Sequence, residues 1–157
     1  MKANLAVARG LHGFAMDARM LGRGQDFFPL AMSTGRKVVF WLSMVLSLDG
    51  QPIVPFIDPR RTRGLNREAR RFVFSMMNER VRAADPDFAT VRFAIFQFGY
   101  SEEGHRQPRL YGDEGVSLFS FDELETMVKT TYEIWREVCE EREDEVRRKA
   151  VASGPLL

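Results

Sequence analysis

The chain is poor in the residue types that most often announce a chemistry. Among 157 residues it has one cysteine, Cys139, and two histidines, His12 and His105. A single cysteine excludes an internal disulfide and a cysteine-based zinc site, and it suits a reducing compartment. No apolar run approaches the roughly 20 residues that a bilayer span needs. The longest, Val38 to Leu48, has 11 residues and contains Ser43 and Ser47. Arg9, Asp17 and Arg19 interrupt any signal-peptide core. Glycine-rich phosphate loops, nucleophile elbows and His/Cys pairs are all missing. These absences predict a cytoplasmic protein with no membrane segment, no catalytic residue, no metal and no cofactor.

Charge of one sign is also lacking overall, since the formal net charge is +1. That excludes a uniformly basic, histone-like binder. The total hides two opposed halves. Residues 1–100 carry 15 basic and 8 acidic groups, a net of +7, and residues 101–157 carry 8 and 14, a net of −6. A local polyanion site therefore stays open, and so does an acidic half that serves as the basic half's own partner.

What is present reads as one α+β domain, a small, mainly antiparallel sheet packed with two principal helices. Residues 1–36 read as an arm, partly helical or mobile, because Gly10, Gly13, Gly22 and Gly24 weaken its helical pattern. Residues 37–149 form the domain, and residues 150–157 a flexible tail. Strands are predicted near 37–48, 51–57 and 90–98. Asp49-Gly50 is a hairpin signal, since both central residues of a type I′ turn need positive φ. Pro52 and Pro55 make the second strand short or place it at an edge. On the third strand Val91, Phe93 and Ile95 share one face and Ala94, Phe96 and Phe98 the other, so both faces are core. Residues 99–109 read as a polar loop, followed by a short strand over 109–111 or 116–118.

Two helices are predicted, near 67–84 and 121–147. Asn66 caps the first. Ser120 and Glu123 form a capping box for the second, with Phe119 and Leu124 as a hydrophobic staple. Leu124, Val128, Thr131, Trp135 and Val138 form its apolar stripe, on the side that Cys139 also faces as a small buried residue.

The strongest candidate site is basic. Residues 60–82 hold eight arginines against Glu68 and Glu79. Guanidinium forks suit phosphate, and a basic loop that leads into a helix N-terminus adds free backbone N–H groups. Arg60, Arg61, Arg63, Arg67 and Arg71 are the candidate contacts for a nucleic-acid backbone or an acidic protein surface. Arg80 falls inside the apolar arc of its helix and must be paired or reach water at its end. Three functional classes follow: a non-catalytic binding or adaptor protein, a divergent metal-dependent nuclease centred on Asp58, and a structural homodimer with complementary charged patches. The nuclease pattern is faint, because Arg60 stands where a lysine is expected and cannot act as a base. Tyr132 and Trp135 are the candidate interface anchors on the last helix. The loop Glu102-Glu103-Gly104-His105 matches no metal spacing.

Overall fold

A computed structural model describes residues 2–27, 29–32, 37–38, 44–60 and 62–152. The fold is α+β. In chain order its elements are helix α1 (Lys2–Asp17), strands β1 (Leu21–Gly24), β2 (Leu30–Ala31), β3 (Lys37–Val38), β4 (Met44–Leu48) and β5 (Gln51–Asp58), helix α2 (Arg67–Met77), strands β6 (Arg92–Tyr100) and β7 (Arg106–Gly112), and helix α3 (Phe121–Ala152). The main sheet has the order β1-β4-β5-β6-β7, and β2 pairs with β3 in a separate ribbon. Every pairing in the main sheet is antiparallel except β5 with β6, which run parallel. A parallel pair needs a crossover, and α2 supplies it. Residues 37–48 thus serve two sheets, and 39–43 lie outside the described residues.

The Asp49-Gly50 turn forms as expected, with φ of 51° and 75°. The expected placement of the next strand is wrong. β5 has eight residues and lies third of five strands. The register explains how two prolines fit there. Leu48 and Gln51 flank the turn, so the N–H groups of Gln51 and Ile53 face β4 and that of residue 52 faces away. Pairing with β6 begins only at Ile53, and pairing with β4 stops there. The N–H that Pro52 lacks would point toward β6, and the one Pro55 lacks toward β4. Each omission falls where no ladder partner stands.

The strand near 90–98 is present as β6, shifted to 92–100, and its two apolar faces separate as expected. Phe93 and Ile95 join Val54, Val73, Phe74 and Met77 under α2. Ala94, Phe96 and Phe98 join Val7 and Ile53 under α1. The predicted loop over 99–109 is shorter than expected, since β7 starts at Arg106 and pairs back along β6. Gly10 turns out to be a packing residue. A Cβ there would collide with the Arg106 carbonyl oxygen, so glycine lets α1 touch β7.

α2 begins as predicted, with the Asn66 side chain accepting from Ala69 N at 2.8 Å. It ends in a wider π turn over Asn78–Arg82 that carries Arg80 and Val81 inward. α3 packs outside α2, through Leu124 and Val128 against Met76 and Met32. Its capping box forms: Ser120 N donates to Glu123 Oε2 at 2.7 Å and Glu123 N donates to Ser120 Oγ at 3.3 Å. The helix is longer than predicted, 32 residues, or about 48 Å at 1.5 Å per residue.

Candidate functional site: a polar row across three strands and an exposed helix face

The register sets Asp58 beside Gln97 and Gln97 beside Arg109. Three neighbouring strands therefore carry one polar row on the α2 side of the sheet, at the carboxyl ends of the parallel pair. The loop from β5 to α2 closes over it. Asp58 is 3% exposed and its carboxylate is heavily used. Arg60 Nε donates to Oδ1 at 2.7 Å and Arg60 Nη2 to Oδ2 at 2.9 Å. Leu65 N and Gln97 Nε2 donate to Oδ2 at 3.2 and 3.1 Å. Burial alone would raise this carboxyl, but the hydrogen bonds from Arg60, Gln97 and Leu65 outweigh it and hold the pKa at about 2. In return the Asp58 carboxylate raises Arg60 further. Gly64 permits the loop to lie this close, since a Cβ there would meet Gln97 Nε2 at 2.7 Å.

Arg70 reaches in from α2. Its Nη1 donates to the Leu65 carbonyl at 2.9 Å, and its guanidinium lies 4.2 Å from the Tyr111 ring centre. Arg106 holds the loop from the other face of the sheet. It is 6% exposed and donates from Nη2 to the Pro59 and Arg60 carbonyls at 3.2 and 2.9 Å. Asp58 is in this arrangement a charged anchor for the loop. Among the described residues, no cluster of three His, Cys, Asp or Glu side chains could hold a metal ion.

The predicted basic contacts differ in their surroundings. Arg60 is bound to Asp58. Arg71 donates from Nε to the Ser117 carbonyl at 2.6 Å and stacks 3.6 Å above Phe119. Arg63 and Arg67 are exposed, and Arg61 lies outside the described residues. Arg60, Arg71 and Arg82 meet the carboxylates of Asp58, Glu68 and Asp113. The charge run of α3 pairs within its own helix, Arg147 with Glu143 and Asp144, and Lys149 with Glu145. Arg80 is buried as expected, donates from Nη2 to the Phe27 carbonyl at 3.1 Å, and is pushed down by burial. Gln97, Arg70, Arg109 and Tyr111 carry no motif in the sequence. Only the strand register and the crossover bring them to Asp58.

The expected stripe on α3 divides in two. Leu124 is fully buried and Val128 nearly so, whereas Trp135 is 58% exposed. Tyr132 is half-buried against the α2 contact. Ile134, Val138 and Val146 are exposed, and Cys139, expected to be buried, is only half so. Nothing among the described residues covers these side chains.

Residues 1–145 match a family model described as sliding clamp-binding bacterial toxin SocB. The chain belongs to that family. It is similar to the DNA replication inhibitor toxin SocB of Caulobacter vibrioides (strain NA1000 / CB15N), with 32% identity over 146 residues, 93% of this chain. It spans about 62% of that relative's length. No solved structure matches it. The matched region covers both the polar row and Trp135. Among the described residues, no helix is long and apolar enough to cross a membrane.

Proposed function

We propose that this chain is a non-catalytic binding protein whose partner is a bacterial DNA sliding clamp, and that it contacts the clamp through the exposed half of α3. Family membership supports the partner. The supporting observation for the surface is Trp135, more than half exposed and flanked by exposed Ile134 and Val138. Tryptophan is the residue type most often found to dominate an interface when it becomes buried. Tyr132 forms the inner rim of the surface. Arg63 and Arg67, exposed at the start of α2, add charge contacts to an acidic protein surface. A cytoplasmic setting follows from this partner. Nothing observed favours the nuclease alternative, because Asp58 is committed to Arg60, Leu65 and Gln97. Calorimetric titration of a purified sliding clamp tests the proposal. Trp135→Ala is expected to weaken binding at least tenfold, about 1.4 kcal/mol or more, at an unchanged melting temperature. Absence of binding by the unaltered chain overturns the partner, and unchanged binding by Trp135→Ala overturns the surface. A stable dimer in light scattering would assign the same face to a second copy.

A further inference from the structure

We propose that the pocket at the carboxyl ends of β5 and β6 binds a phosphate group. The pocket encloses about 270 Å³ and is lined by Asp58, Arg60, Arg70, Gln97, Gly99 and Arg109, among others. That volume is below the range of roughly 300–1,000 Å³ typical for drug-sized ligands, and it suits a single small group. The pocket lies beyond the carboxyl ends of the parallel pair in the sheet.

Its charge is what selects the ligand. Arg60 neutralises Asp58, the carboxylate in the lining. Arg70 and Arg109 form no ion pair among the described residues, so two positive charges remain, matching a phosphate dianion. One of the two guanidiniums is also held in place, and the other is exposed at the pocket. Arg70 is fixed by the Leu65 carbonyl and the Tyr111 ring. Arg109 lies across β6 where Gly99 has no side chain: a Cβ there would meet its Nε at 3.1 Å and its Cζ at 3.4 Å. Donors ordered in advance lose less freedom on binding, and guanidinium–phosphate bonds are charge-assisted. The site shares no residue with the α3 face, so either proposal survives failure of the other.

Amide NMR titration at constant ionic strength tests the pocket, with ribose 5-phosphate as one probe and a ten-residue thymidine oligonucleotide as the other. Saturable shifts are expected at Gly64, Gln97, Gly99 and Arg109. Arg109→Gln should weaken binding at least tenfold, of the order of one charge-assisted contact. Gly99→Val, which keeps every charge but takes the space where the Arg109 guanidinium lies, should weaken it by about fivefold, since a charge-assisted bond depends on the donor's position. Arg23→Gln, on the exposed strand at the far edge of the sheet, changes the net charge equally and should change binding less than about twofold, as a screened surface charge does. Ribose 5-phosphate binding with this dependence identifies a free phosphomonoester. The same dependence seen only with the oligonucleotide identifies a backbone phosphate. The proposal is overturned if neither probe gives a saturable shift, or if Arg23→Gln weakens binding as much as Arg109→Gln.

Discussion

Replacing Asp58 with asparagine should destabilise the protein by an amount that depends on pH in a defined direction. Asp58 is held at about 2, against an ordinary 3.8. At about 1.36 kcal/mol per pKa unit, that difference favours the folded state by roughly 2.5 kcal/mol. The pKa is lowered on folding, so this contribution is complete above about pH 4. It declines as pH falls, because the unfolded chain takes up the proton first, and it is gone below about pH 2. Asparagine keeps the shape but not the charge, and it turns an N–H toward the Arg60 fork. Arg60 is half exposed and can swing into water, so no buried cation is stranded. The expected loss at neutral pH is therefore close to the linkage value, about 2–3 kcal/mol, and the melting temperature should fall by roughly 5–10 °C. Urea unfolding of both proteins between pH 7 and pH 2 measures the gap directly. A gap below about 1 kcal/mol at pH 7, or one that stays constant down to pH 2, refutes the anchoring role, since the linkage argument requires both size and slope.

Other substitutions separate packing from exposure. Leu124→Ala, at the fully buried contact between α3 and α2, should cost about 2–4 kcal/mol in denaturant unfolding, whereas Trp135→Ala on the same stripe should change stability by less than about 0.5 kcal/mol. Gly10→Ala gains helix propensity of about 1 kcal/mol, yet its methyl collides with the Arg106 carbonyl, so a net loss of about 1–3 kcal/mol is expected in thermal unfolding. Ser120→Ala removes half of the capping box and should lower stability by about 1 kcal/mol, read by calorimetry.

Local chemistry was legible wherever a few neighbouring residues decide the outcome. Asp49-Gly50 specified its turn, Asn66 and Ser120–Glu123 their helix starts, and the alternation from Val91 to Phe98 a strand buried on both sides. Each depends on backbone geometry within about one turn or one pleat. Arg80 inside the apolar arc was legible for the same reason. Features that depend on distant segments were not. The sequence carries no record of which strand lies beside β5, so its prolines suggested an edge, while pairing from two sides over different spans left each a free flank. Gly10 looked like a helix weakness because the strand it touches lies almost a hundred residues away.

The candidate sites divide along the same line. Sequence alone determined that arginines crowd residues 60–82 and that a stripe runs along the last helix. Tertiary structure decided which of those arginines are used internally, as Arg60 and Arg71 are, and which stay exposed, as Arg63 and Arg67 do. It also decided that the stripe is buried at Leu124 and bare at Trp135, and that Asp58, Gln97 and Arg109 form one row. The physical reason is that a side chain's charge and polarity belong to the residue, whereas its partners and its contact with water depend on where the rest of the chain lies.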